Sequence, residues 1–280
     1  RALDEEADLH AFGRMMTRNE LLLQLQNRLQ IEATYKAHPE IEDEIIDSPV
    51  IIAGLPRSGT SILFELLSQD KQFGSPSSWE TIISCPPPET SSYGDDPRAD
   101  KVDHLLTQWS RVTPTYASMH EMGAWIPAEC FSAFELSFRS ENMTAKVPVP
   151  SFMAWLATAD MTPAYRYYKR MLKLLQWKNP RQHWLLKSPA HLGYLPTLFK
   201  VFPDARLVIT HRDPIKAQAS VTNLLGTLFW MRSDKRMDVA DFESLLNPEA
   251  VAYRLYQTID WLESGTIPGS QVFSSRYADL

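Results

Sequence analysis

Three shortages bound what this chain can do. Cysteine is the first: Cys85 and Cys130 are the only two in 280 residues. They are too few for a disulfide framework and lack the CxxC or His-rich spacing of a metal site, so no metal is expected and a reducing, cytoplasmic setting is the default. Positive charge is the second. Lys and Arg total 28 against 34 Asp and Glu, a formal net charge of -6, so no nucleic-acid partner is expected and any anion site must be local. Long apolar runs are the third. No stretch reaches the ~18 residues of a membrane span, and residues 1–8 are acidic, unlike the basic lead of an export signal. Internal repeats and low-complexity tracts are missing as well.

What remains is ordinary globular material, 44% hydrophobic and 22% charged, in a length that fits one large α/β domain or two small ones. Residues 1–47 carry helical spacing. Leu21, Leu22, Leu25, Leu29 and Ile31 fall near one face and predict a leading helical arm. At residues 49–53 the pattern changes to PVIIA, a short β-branched run suited to a strand buried on both faces of a parallel sheet. Three more such runs follow, at 183–187 (HWLLK), 205–210 (ARLVIT) and 271–276 (QVFSSR), with helical patterns at 190–202, 214–225 and 249–263. Strands alternating with helices predict a parallel sheet with right-handed crossovers. Residues 72–160 break that rhythm with three consecutive prolines and many aromatics and methionines, and read as a large insertion between the first two of these strands. Thr162 and Pro163 then read as N-cap and first residue of a helix running to Trp177. Leu280 comes just after a strand with no closing helix, so further chain is expected beyond it.

The strongest local signal is Gly54-Leu55-Pro56-Arg57-Ser58-Gly59-Thr60-Ser61, which follows a strand and leads into an apolar helical run. Strand, tight loop and helix N-terminus together aim free backbone N–H groups and a positive dipole end at a phosphate. The GxxxxG spacing is that of a nucleotide-binding loop, but Thr60 stands where a triphosphate-hydrolysing enzyme needs lysine. A loop that keeps the anion cradle, drops that lysine and adds Arg57 suits a 5'-phosphate carrying one transferable group.

These residues resemble the 5'-phosphosulfate loop of sulfotransferases that use 3'-phosphoadenosine 5'-phosphosulfate (PAPS), whose usual form is P-[KR]-[ST]-G-T-[TS]. The second half of that signature is an arginine at a strand end and a serine eight residues later. Here Arg212 follows ARLVIT and Ser220 lies eight residues beyond it. A third block, LKSPAHL at 186–192 with FPDA at 202–205, is similar to a bacterial branch related to the tyrosylprotein and heparan-type enzymes. Trp79-Glu80, the Pro86 to Pro88 run, His120-Glu121 and residues 159–167 fit the same branch, so the resemblance covers most of residues 48–280. It implies a P-loop-type three-layer α/β fold with a central parallel sheet, preceded by the helical arm and carrying a largely helical insertion. It also implies PAPS as co-substrate, PAP as product and no metal. Pro56, Arg57, Ser58, Gly59, Thr60 and Ser61 are then expected to hold the 5'-phosphosulfate, and Arg212 with Ser220 the 3'-phosphate.

Sulfuryl transfer needs in-line attack, cations for the developing charge and a base for the acceptor hydroxyl. Arg57 and Lys187, both at strand ends where α/β sheets place ligands, are the candidate cations. Two residues stand for the base. Glu80 lies 23 residues past Arg57, near the distance at which related enzymes carry a catalytic glutamate, and His120 titrates near neutral pH. The aromatics and methionines of the insertion suit an apolar acceptor pocket, with a small hydroxylated lipid, sterol or phenol favoured over a sugar or peptide. Two other readings stay open: a P-loop kinase, and a non-catalytic nucleotide- or lipid-binding protein of the same fold.

Overall fold

A computed structural model of the chain describes residues 1–235, 238 and 246–280. Five strands, β1 (Val50–Gly54), β2 (Phe73–Gly74), β3 (His183–Lys187), β4 (Arg206–His211) and β5 (Val272–Arg276), form one sheet in the order β2-β3-β1-β4-β5. Every pairing is parallel. The four longer strands are those expected from their apolar runs. The fifth, β2, was not expected, because two residues pairing with His183 and Trp184 leave no periodic pattern to read.

Both faces of the central strands β1 and β3 are covered, which is why their sequences run apolar without alternation, whereas the edge strand β5 is mostly exposed. On one face Ile51 and Ala53 of β1, Leu186 of β3 and Leu207 of β4 pack with Tyr165, Met171, Leu172 and Leu175 of the long helix Thr162–Gln176. On the other face Ile52 and Leu185 pack against Phe64, from the helix Thr60–Ser68 that follows β1. Helices over a parallel sheet over helices is the three-layer α/β arrangement. The helix Thr162–Gln176 has Met161 as its N-cap, so Thr162 is inside the helix by one residue rather than capping it. Between β2 and that helix lies the insertion, built of short helices at Ser78–Ile82, Pro97–Val112, Tyr116–Met119, Cys130–Phe134, Glu141–Lys146 and Pro150–Thr158. Cys85 and Cys130 are both buried free thiols. Among the described residues no helix is long and apolar enough to cross a membrane.

The leading arm is helical, over Ala11–Ala37, but its buried face differs from the expected leucine face. Of the expected face Ile31 is buried in the core, but Leu22, Leu25 and Leu29 are exposed, and Thr17, Asn27 and Tyr35 are buried in their stead. Apolar packing of Ile31 and Tyr35 and hydrogen bonding by Asn27 both hold this face. Asn27 donates to the Thr81 carbonyl at 3.0 Å and accepts from the Ser84 backbone N–H at 3.0 Å, so a buried amide satisfies an insertion loop that leucine would leave unpaired.

His191, in the short 3-10 turn after β3, is 1% exposed and meets the Tyr165 hydroxyl through Nδ1 at 2.7 Å. Burial pushes its pKa down to about 3, so the folded protein carries it neutral. Above pH ~6.5 it is neutral in the unfolded chain too and costs nothing. Between pH ~6.5 and about 3 the unfolded chain takes up a proton that the folded one refuses, and stability falls by up to ~1.4 kcal/mol per pH unit. Urea titrations from pH 7 to pH 4 are expected to show a shallower loss in His191→Gln than in the unmodified protein; equal slopes would place the acid sensitivity elsewhere.

Candidate active site

The loop after β1 is shaped by what lies beside it. A Cβ on Gly54 would fall 2.2 Å from the Thr210 hydroxyl oxygen on β4, so only glycine lets the two strand ends run this close. Arg57 takes a left-handed conformation, φ 65°, at a cost of ~1–2 kcal/mol for a residue with a side chain. Ser58 locks the turn. Its N–H and its hydroxyl both donate to the Leu55 carbonyl, at 3.1 and 2.6 Å, and the hydroxyl oxygen lies 2.6 Å from that of Thr210. The Ser58 side chain is thus turned into the fold. Gly59, at φ 97°, caps the helix Thr60–Ser68, whose first internal bond runs from the Leu63 N–H to the Gly59 carbonyl. The amides of Thr60, Ser61 and Ile62 precede that bond and have no partner inside the helix, so they and the dipole face outward past Pro56 and Gly59.

Three residues expected from the two halves of the signature meet at this loop. Arg57 Nε donates to the Ser220 hydroxyl at 3.0 Å and Nη1 to the Met119 carbonyl at 3.2 Å. Arg212 Nη1 donates to the Arg57 carbonyl at 2.7 Å, and its guanidinium lies 4.0 Å from the centre of the Tyr277 ring. Ser220 sits on the helix Pro214–Trp230, two turns from its start. Asp213 caps that helix by accepting from the Ile215 N–H at 2.9 Å.

The lysine missing from the loop is supplied by the neighbouring strand. Lys187 pairs in register with Ile52 at the end of β3, and its Nζ donates to the Ser61 hydroxyl at 3.1 Å. Nζ also forms a 2.5 Å ion pair with Oε1 of Glu129, where the two side chains are 2% and 10% exposed. The other oxygen, Glu129 Oε2, is buried and has no hydrogen-bond partner among the described residues. His120 lies in the same field: burial pushes its pKa down, Glu129 pulls it up, and Lys187 and Arg57 push it down again. Sequence reasoning missed Glu129. The available signal was its setting, because Glu129 and Glu135 are the only charged residues between 122 and 138, and an acid inside an apolar run is buried with a partner or not at all.

Glu80 is not brought to this centre. It is fully buried at the third position of the helix Ser78–Ile82, closing a capping box with Ser77. Its Oε2 accepts from the Ser77 N–H at 2.7 Å and its Oε1 from Arg181 Nη2 at 2.9 Å. Burial pushes its pKa up, while Arg181 and Ser77 pull it down. His211 meets the Ser274 hydroxyl at 3.1 Å, joining β4 to β5. Among the described residues no cluster of three or more His, Cys, Asp or Glu is arranged to hold a metal.

A parallel sheet whose first strand ends in an anion-binding loop, with a strand-borne lysine and a second arginine–serine pair against it, defines a class. The sequence model of the sulfotransferase family matches residues 49–280, and the chain belongs to that family. Its fold is that of sulfotransferase STF1 from Mycobacterium tuberculosis, with a TM-score of 0.86 and 29% identity over all of this chain and 75% of that one. Sulfotransferase STF9 from Mycobacterium avium superposes with a TM-score of 0.81 and 30% identity, over 99% of this chain and 71% of that one. By sequence the chain is 24% identical, over 246 residues, to the omega-hydroxy-beta-dihydromenaquinone-9 sulfotransferase Stf3 of Mycobacterium bovis and of Mycobacterium tuberculosis. That match covers 85% of this chain, which spans 60% of the length of those relatives.

Removing the fully buried Glu80 carboxylate leaves the half-buried Arg181 without its charge partner and opens the capping box. Glu80→Ala is therefore expected to lower unfolding free energy by roughly 3–5 kcal/mol, read by denaturant titration, while PAP affinity in the folded fraction stays within about threefold. A hundredfold loss of turnover at unchanged stability and PAP affinity would return Glu80 to the place of the base.

Proposed function

We propose that this chain moves the sulfuryl group of PAPS onto the hydroxyl of a small hydrophobic acceptor, releasing PAP. The observation that carries the reading is the meeting, at one loop, of Arg57, Lys187, Arg212 and Ser220 with a carboxylate that keeps one oxygen unengaged. The residue types fit a bisphosphorylated nucleotide. Amides of the helix Thr60–Ser68 and the Arg57 guanidinium suit the 5'-phosphosulfate, and Arg212 with Ser220 suits the 3'-phosphate. When bound, PAPS supplies the transferable sulfuryl group and a phosphate leaving group.

Lys187 has the role of neutralising charge on the oxygen between sulfur and phosphate as that bond breaks. Its ion pair with Glu129 and its bond to Ser61 hold the ammonium at the loop in advance; a donor preorganised in this way supplies about 10²–10³ in rate. Glu129 takes the place that sequence reasoning gave to Glu80. Its unpartnered Oε2 accepts the proton of the acceptor hydroxyl while the oxygen attacks sulfur, a step worth about 10²–10⁴ in rate. His120 lines the same centre, and its depressed pKa keeps it neutral and able to hydrogen-bond the acceptor. The name of the Stf3 relatives supports a hydroxylated lipid acceptor, as does the aromatic and methionine content of the insertion.

Transfer of radiolabelled sulfur from PAPS to a panel of hydroxylated lipids, sterols and phenols tests the reading. Glu129→Gln is expected to lower kcat at least a hundredfold with PAP affinity unchanged, and Arg212→Ala to weaken PAP binding at least tenfold. Full turnover by Glu129→Gln would remove it as the base. Preference for ATP with magnesium over PAP in a calorimetric titration would remove the sulfotransferase reading itself.

A further inference from the structure

A second pocket lies away from the loop. Its volume is about 270 Å³ and its walls include Leu21, Phe138, Val149 and Phe152. Such a space holds on the order of ten non-hydrogen atoms at ~30 Å³ each. It is separated from the loop centre by rings in contact. Trp109 packs beneath the cavity residues Arg232 and Lys146, at 4.4 and 5.7 Å, and touches Tyr116 at 5.9 Å; Tyr116 in turn touches His120 at 6.0 Å. The floor is charged and balanced. Arg232 donates to Glu20 at 2.7 Å, and Lys146 pairs with Glu135 at 2.8 Å and with Glu20 at 3.5 Å. Burial pushes Glu20 up and Lys146 down, yet their partners outweigh it in both cases, so each stays in its charged form.

Two polar atoms of this floor are unspent. Arg232, with no exposed surface, has an Nε that finds no hydrogen-bond partner among the described residues. The hydroxyl of Thr17, 8% exposed and also lining the cavity, finds none either. Buried donors without acceptors are costly, and water or a ligand oxygen settles them. Glu20 and Glu135 match Lys146 and Arg232, and Arg1, which also lines the cavity from its exposed rim, is paired with Glu5 at 3.0 Å, so an added ion would be buried uncompensated. We infer that this cavity binds a neutral amphiphile: an apolar chain between Leu21, Phe138, Val149 and Phe152, with one hydroxyl or carbonyl oxygen at Arg232 Nε and Thr17 Oγ1. The site stands on its own geometry and does not rest on the sulfuryl-transfer reading.

Calorimetric titration of the full chain with 1-octanol, octanoate and octylammonium tests the inference. Octanol is expected to bind one per chain, at least tenfold tighter than either ion, and PAP is not expected to displace it. Val149→Trp, which fills the cavity, is expected to abolish octanol binding. Thr17→Val, which keeps the shape and removes the hydroxyl, is expected to weaken it about fivefold with the melting temperature held. Absence of saturable octanol binding, displacement by PAP, octanoate binding as tightly as octanol, or full affinity in a folded Thr17→Val would each overturn it.

Discussion

The ion pair between Lys187 and Glu129 is the contact on which the candidate centre depends. A lysine 2% exposed at the edge of a parallel sheet cannot keep its charge there without a partner. Glu129 supplies the opposite charge from the insertion and Ser61 supplies an acceptor from the loop. Two contacts of one side chain therefore join three segments, and they set a cation and a carboxylate side by side at the helix end. Nothing in either segment alone would hold such a pair; the desolvation it costs is offset only where both arrive together.

The loop itself is held from the opposite side by β4 and β5. Ser58 meets Thr210 across the gap that Gly54 keeps narrow, Arg212 donates to the Arg57 carbonyl, and Tyr277 packs on Arg212 and against Gly59. A left-handed arginine is a strained choice in a loop. Here its carbonyl and its guanidinium are both engaged, which offsets the strain and points the side chain at Ser220. The helical arm, in contrast, reaches the insertion through polar contacts, with Asn27 on Ser84 and Thr81 and Glu20 on Lys146, and Glu20 also holds Arg232 just past the helix Pro214–Trp230. It braces the walls of the second cavity rather than the loop.

The centre of the sheet was legible because β1 and β3 are buried on both faces and so advertise themselves as nearly unbroken apolar runs, VIIAG and HWLLK. The loop, with Arg212 and Ser220 converging on Arg57, was legible because a strand end, a turn and a helix start occupy consecutive residues. The arm was legible as a helix but not in its orientation. Leu22, Leu25 and Leu29 look like a core face, yet the buried face is held in part by the hydrogen bonds that Asn27 completes, and hydrophobic spacing carries no record of those. The strand β2 was invisible for want of length.

Local order along the chain determined the strand, the anion loop, the second arginine–serine pair and the place of Lys187, since each follows from residues adjacent in sequence or from one strand's edge. Which acid stands against Lys187 did not follow. Counting from Arg57 led to Glu80, which the fold spends on a capping box and on Arg181; the acid that faces Lys187 lies 49 residues further on, in Glu129. The reason is electrostatic. A buried carboxylate acquires its role from the charge it is placed against, and that neighbour is chosen only when the insertion packs onto the sheet.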